Sequence, residues 1–360
     1  MSLSSLPLRR RSLAPLLAAG LAPATWAAAV PGPLQRPAIT LQAPERCVCL
    51  GLALASQRVV AVGERGVVLL SDDAGQHWRQ AAQVPVSVTL TAVQFVSERI
   101  GWALGHQGGV LRTDDGGEHW RLQLEGRALA ALHLAEAEAA RDPQRLAQMR
   151  QLVQEGADKP LLALSFLNEN EGVVVGAFNL ALQTRDGGKS WQGFGERLPN
   201  PKGMHLYAVQ HDGAELVIAG EQGLVLRSSG GRSRFERLTT PYGGSFFSLS
   251  LLRDGSWWLA GLRGHVLRSD DRGQSWVALN NPLPISVTAS VGAAGGSLWL
   301  VNQAGQVLRT DAARQQVLVQ ANSQAQQPTS AQVLPDGSLL LAGWNGLTRV
   351  PGTQLKPASN

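Results

Sequence analysis

The chain has 360 residues, of which 40 are Gly, 44% are hydrophobic and 16% are charged, with a formal net charge of +5. Such a chain is long enough for a large buried core, and its Gly content suits a turn-rich β domain. Three of the positive charges are Arg9, Arg10 and Arg11, so the rest of the chain carries only +2 and has little electrostatic drive toward nucleic acid.

The N-terminus comes first. Residues 1–29 combine a basic start, an apolar stretch from Leu13 to Ala22 and a small-residue end at Ala27-Ala28-Ala29, the pattern of a secretory signal peptide cleaved after Ala27 or Ala29. The expected mature protein is therefore periplasmic or otherwise exported, and no later segment is apolar enough to span a bilayer, so it is peripheral to a membrane at most. Cys47 and Cys49 stand two apart on an expected strand and point the same way. No His or third Cys completes a metal set, and they read as small buried hydrophobes.

From residue 60 onward the chain repeats. A Gly-x-x-Gly tetrapeptide, with Asn allowed at an end, starts at Gly63, Gly105, Gly176, Gly220, Gly261, Asn302 and Gly343, at steps of 42, 71, 44, 41, 41 and 41 residues. That period is one four-stranded propeller blade. Each tetrapeptide joins two short apolar runs, which predicts a tight hairpin between the second and third strands of a blade. For the second repeat the strands fall near Leu90–Phe95, at Trp102–Leu104, at Gly109–Arg112 and at Trp120–Gln123.

After the third strand comes a Ser/Thr-x-Asp-x-Gly-x-x-Trp box, intact from Ser71 to Trp78, Thr113 to Trp120, Thr184 to Trp191 and Ser269 to Trp276, and worn from Ser228 to Phe235 and from Thr310 to Val317. The hydroxyl and the carboxylate of Asp73, Asp115, Asp186 or Asp271 can satisfy turn amides, while Trp78, Trp120, Trp191 and Trp276 can bury rings between sheets; these eight residues are expected to be structural. Alternating turns place the boxes on one face of the ring and the Gly-x-x-Gly turns on the other. Trp102, Trp258 and Trp299 share one second-strand slot and read as core, and Arg112, Arg227, Arg268 and Arg309 share a third-strand slot as a solvated or stacked ladder.

The long second step holds residues of about 126–157, rich in Ala, Glu, Gln, Arg and Leu, which predicts two short helices broken near residue 141 with Asp142 and Pro143 opening the second. Leu146, Met149 and Val153 form an apolar stripe, and the insert is expected on the Gly-x-x-Gly face. The seventh repeat has only three strands before the tail at 352–360. Its fourth is expected from Ala38-Ile39-Thr40-Leu41, closing the ring. The fold class is thus an all-β, seven-bladed propeller of four-stranded antiparallel blades with a small helical insert, spanning residues 30–351.

The boxes resemble those of the bacterial neuraminidase repeat propellers. Within these, Gly101-Trp102-Ala103-Leu104-Gly105 through Thr113-Asp114-Asp115-Gly116-Gly117-Glu118-His119-Trp120 resembles the photosystem II stability/assembly factor family, which has homologues in non-photosynthetic bacteria. The resemblance covers residues 40–350. It implies a non-catalytic, exported scaffold or accessory factor for a cell-envelope membrane complex. Propellers of this type with a helical insert resemble a proteobacterial branch associated with large inner-membrane permeases, which implies a permease as one such client.

The alternative is a glycoside hydrolase of sialidase type, since Asp-boxes occur there too. Such an enzyme needs an arginine triad, a Tyr nucleophile with a Glu partner and an Asp acid/base. Of the two tyrosines, Tyr207 lies in an apolar strand, Tyr242 is the other, and the Arg-Ile-Pro start of sialidases is missing. No phosphate loop, metal spacing or nucleophile elbow is present, so no cofactor and no metal is expected. A monomer is expected, with a partner-binding surface on the Gly-x-x-Gly face at Arg65, His106, Phe178, Arg263 and Trp344, where large side chains are not needed for the turn itself.

Overall fold

A computed structural model describes residues 31–355 apart from 142, 157, 294 and 295. The signal-peptide segment, the Asp142 cap and residues 356–360 lie outside the described residues. Seven antiparallel sheets follow one another as blades 1–7, over residues 49–80, 90–124, 161–193, 206–237, 246–278, 287–322 and 330–350. Within each sheet the strands, A to D, lie in sequence order. Every A strand packs beside the A strands of two neighbouring blades, and the cycle returns from Ser330–Val333 of blade 7 to Cys49–Ala55 of blade 1. The core is therefore a set of apolar seams, each shared by two adjacent blades. Trp102, Trp258 and Trp299 are buried in those seams.

The tetrapeptide is explained by two close approaches. A Cβ on Gly63 would lie 2.0 Å from the carbonyl oxygen of Val48, and one on Gly66 would lie 1.9 Å from that of Val86. The first glycine makes room for the start of strand A, and the last for the crossover into the next blade. Positive φ comes easily only to Gly and Asn, yet the third residue is also left-handed in five turns: Arg65, Gln107, Phe178, Gln222 and Arg263 have φ of 51–56°. With Gly66 at 74° and Val67 N–H donating to Glu64 O, the turn is type I′, whose twist suits a hairpin and forces both central residues across.

Six sheets have four strands, but blade 7 has three, Ser330–Val333, Leu339–Gly343 and Gly346–Val350. Residues 38–41 do not supply the expected fourth. Ile39 N–H donates to Arg65 O, and the Gln80 side chain accepts from Leu41 N–H and donates to Ile39 O. Their backbone groups are satisfied by blade 1, while Ile39 and Leu41 pack with Leu334, Leu340 and Leu347 in the closing seam. Side-chain packing, together with Thr329 Oγ1 donating to Leu50 O, holds the ring shut.

The insert is a helical hairpin, α1 (Gly126–Ala140) and α2 (Pro143–Glu155). Glu125 caps α1 by accepting from Arg127 and Ala128 N–H, and Arg141, with φ 54°, ends it. The helix begins against the blade 2 turn, where Gly108 meets Gly126. It then lies over the outermost strand of blade 3, where Glu136 accepts the Gly193 N–H. Hence α1 starts at the turn face, as strand order predicts, and continues along the rim of blade 3. Leu129, Ala130 and Ala137 are buried beneath it. In α2, Leu146 and Met149 are half-buried but Val153 is exposed, so the expected stripe is split.

Candidate functional site: the turn face and the box face

All four intact boxes share the hydroxyl–carboxylate–amide geometry, while the indole bond that completes it is made by Trp78 and Trp120 and not by Trp191 or Trp276. In blade 2, Thr113 Oγ1 donates to Asp115 Oδ1 at 2.9 Å and accepts from Gly117 N–H at 3.0 Å, while Asp115 Oδ1 also accepts from His119 N–H at 3.0 Å. Trp120 closes the turn, its indole donating to Gly117 O at 2.8 Å. Hydrogen bonds of this kind favour the carboxylate. Donation from Ser190 and Ser275 holds Asp186 and Asp271 down to about 2. The worn boxes find substitutes: Ser228 Oγ donates to Glu215, and Asp311 accepts from Gln315 and Gln316 N–H.

Between boxes run arginine latches. Arg58 donates to Gly116 O, Arg112 to Gly187 O, Arg197 to Arg232 O, Arg227 to Arg272 O and Arg268 to Arg314 O, each reaching from one blade to a turn of the next. Arg112 and Arg309 also stack on Trp102 and Trp299 at 4.9 and 5.0 Å. The ladder expected from sequence has a fifth member, Arg349, paired with Asp336. These arginines are already engaged with protein groups.

The five residues singled out from the opposite turns are all exposed and all on that face, in blades 1, 2, 3, 5 and 7. They form no single cluster. Phe178 and Trp344 are the most exposed large apolar side chains among the described residues, at 59% and 57%. Around Phe178 the structure gathers residues that the sequence reading passed over. Its ring meets His205 edge-on at 4.7 Å, and Lys159 Nζ lies over it 5.3 Å from its centre. His205 continues to Tyr207 at 6.2 Å, and Tyr207 to Phe247 at 5.5 Å, along the beginnings of strands A in blades 4 and 5. In the next turn Tyr242 stacks on His265 at 3.6 Å and donates its hydroxyl to Leu262 O. The signal was present: His205 and Tyr207 are same-face neighbours on one innermost strand.

At the other end of the innermost strands a cavity of about 460 Å³ is lined by Gln94, Ser165, Gln210 and His211. Ser165 Oγ lies 2.8 Å from His211 Nδ1 and accepts from His211 N–H, which ties blade 3 to blade 4. Burial, then Arg232, push His211 from 6.5 down to about 4. No carboxylate orients its buried Nε2. Cys47 and Cys49 are both buried with their Sγ atoms 3.3 Å apart. Among the described residues no group of three or more His, Cys, Asp or Glu could hold a metal ion.

The ring of box-bearing antiparallel blades defines the class, a repeat propeller of the bacterial neuraminidase type. A family model described as "Photosynthesis system II assembly factor YCF48" matches residues 143–279. The curated photosystem II assembly lipoprotein Ycf48 of Synechococcus sp. (strain CC9902) is 32% identical over 77 residues, 21% of this chain and only 23% of that protein. Among solved structures, YCF48 bound to D1 peptide has a TM-score of 0.63 at 17% identity, covering 88% of this chain and 99% of that one. YCF48 from Cyanidioschyzon merolae gives 0.61 at 12%, covering 86% and 97%. A streptogramin B lyase gives 0.65 at 14%, covering 86% and 94%, so the fold is shared with an enzyme. The chain shares the seven-bladed propeller fold of these proteins, and residues 143–279 are similar to the photosystem II assembly factor family.

Proposed function

We propose that this protein is a non-catalytic, exported scaffold that holds a protein client during assembly or operation of a cell-envelope membrane complex, with a permease as one such client. The similarity to Ycf48 supports an assembly role, and that relative's designation as a lipoprotein supports export. A solved relative is described as bound to a peptide, which supports protein as the class of ligand. The observation that carries the surface is the pair Phe178 and Trp344. Both are turn residues, and both hold large rings out into solvent where Gly, Gln or Asn would make the same turn. Phe178 does so in a left-handed conformation that bulky residues rarely adopt, a form of strain that concentrates at binding sites. Central aromatic and arginine residues of an interface each contribute about 2 kcal/mol or more. Arg65, His106, Arg263 and the outer helix α2 complete the proposed surface.

The test is affinity capture of the tagged full chain from its own envelope after cross-linking. Phe178→Ala with Trp344→Ala, or replacement of residues 143–155 by a Gly/Ser linker, should abolish recovery of the client while the melting temperature stays within a few degrees. Replacing the whole insert is a poorer test, because α1 buries Leu129 and holds Gly193. Recovery that survives both changes but is lost in an Arg112, Arg227 and Arg268 variant that still melts normally would move the site to the box face.

A further inference from the structure

Among the described residues, blade 7 has three strands where the other sheets have four. No backbone group of residues 346–350 bonds to backbone beyond the middle strand of its own sheet, among the described residues. Gly346 and Val350 are buried and Leu347, Thr348 and Arg349 half-buried, but their outward amides and carbonyls lack a strand partner, and such an unpaired row is a template for another strand. Beside it, between blades 6 and 7, lies a cavity of about 630 Å³ lined by Trp299 and Arg309 on one side and by Val333, Ser338 and Arg349 on the other.

The other blades show what belongs there. In blades 1 to 5 a large aromatic residue just before or within the fourth strand plugs the seam to the preceding blade, and in blade 6 Val317 takes that place. Trp120 packs on Leu70 of blade 1, Trp191 on Trp102 and Val110 of blade 2, Phe235 on Val173 of blade 3, and Trp276 on Val217 of blade 4. Trp78 fills the corresponding place against Leu340 of blade 7 itself. The seam between blades 6 and 7 has no such ring: Leu355 is buried there against Trp299, Val301 and Leu339, and with Pro351–Thr353 it lines the remaining cavity. Missing strand and missing ring coincide, and both are the parts that a box and a D strand supply elsewhere.

We propose that blade 7 is completed in trans: an extended segment of another protein adds antiparallel to Gly346–Val350, and an aromatic side chain at its start fills the cavity. The occupant's chemistry is read from this molecule's own repeats, in which an aromatic residue is followed by two to four strand residues, as in Trp120 and Arg121–Leu124 or Trp191 and Gln192–Gly193. Main-chain bonds would supply affinity and the ring specificity, the usual division in strand addition. This edge is distinct from the turn face.

The probe is a fluorescent synthetic peptide with the sequence of residues 113–124, the box and outer strand of blade 2, titrated into the full chain. The expected result is saturable one-to-one binding, with slower amide exchange confined to residues 346–350. A peptide with Trp→Ala at the position of Trp120, or with N-methylated backbone at that of Leu122, should bind at least tenfold more weakly. Thr353→Trp, an exposed position at the cavity margin, should block binding without lowering the melting temperature. Trp344→Ala should have no effect, which separates this site from the turn face. No saturable binding, or binding indifferent to N-methylation and to Thr353→Trp, overturns the proposal. So does binding that appears only after residues 1–30 are removed, since the place would then be filled in cis.

Discussion

His211 is a buried imidazole whose hydroxyl partner, Ser165, sits on the neighbouring blade. Its value falls from 6.5 in the unfolded chain to about 4 in the ring, through burial first and Arg232 second, with Glu171 opposing. Between those values the unfolded chain binds the proton and the native one does not, so stability is lost as pH falls from 6.5 toward 4. The loss from this residue should be about 1 kcal/mol after solvent screening. The box carboxylates Asp186 and Asp271, held at about 2, act only below the ordinary carboxylate value of 3.8. Denaturant melts at pH 7, 5.5 and 4.5 should therefore show a slope in the wild type that His211→Gln reduces, most clearly between pH 7 and 5.5, since Glu118 and Glu215, held below their ordinary 4.5, add to it nearer pH 4.5. An unchanged slope would mean that His211 is charged in the fold. A second residue-scale expectation is that Trp120→Ala costs about 3–5 kcal/mol in the same assay, because its ring is shared by two blades.

At the scale of elements, the boxes and hairpins were legible because a short-range turn needs particular residues at fixed offsets. Blade 2 falls at Leu90–Phe95, Gly101–Gly105, Val110–Thr113 and Arg121–Leu124, each within a residue or so of the reading from repeats alone. The latches were not legible. Arg112 and Arg227 repeat visibly, but Arg58 and Arg197 do the same job from other positions in the repeat, and only the ring brings them to the next blade's carbonyls. The aromatic run from Phe178 to Phe247 was hidden for the same reason, being built from three blades. The insert was legible as helical and as leaving the sheet at the turn face, where Gly126 meets Gly108, but its course along the outer strand of blade 3 was not, because strand order gives where a segment leaves the sheet and not where it packs. The latches make a prediction of their own. Arg112→Met removes donors from Gly187 O and Asp114 and should cost about 1–3 kcal/mol, whereas Arg309→Met, whose partners Ser297 and Trp299 both lie in its own blade, should cost less than about 1 kcal/mol in the same melts.

For the whole molecule, the closing strand is where local pattern failed. Ala38-Ile39-Thr40-Leu41 has strand composition, but its amides were claimed by Arg65 and Gln80, and no local signal distinguishes those partners from a strand edge. The segment still matters to the ring. Leu34 is buried in the seam of blades 1 and 2, and Ile39 and Leu41 in that of blades 7 and 1. Removal of residues 32–42 should lower the melting temperature by several degrees; a chain that melts like the parent would show these contacts to be idle.

The latches run in one direction, from blade 1 through to the box turn of blade 6, and then stop: Arg309 bonds to Ser297 and Arg349 to Asp336, each within its own sheet. Blade 7 is thus the one sheet flanked on both sides by seams without an arginine tie, among the described residues. Mechanically the ring is a stiff arc of six sheets and a compliant seventh. Under heat or load it should part beside blade 7, so the blade with the open edge is also the one that can tilt to admit what lies against it.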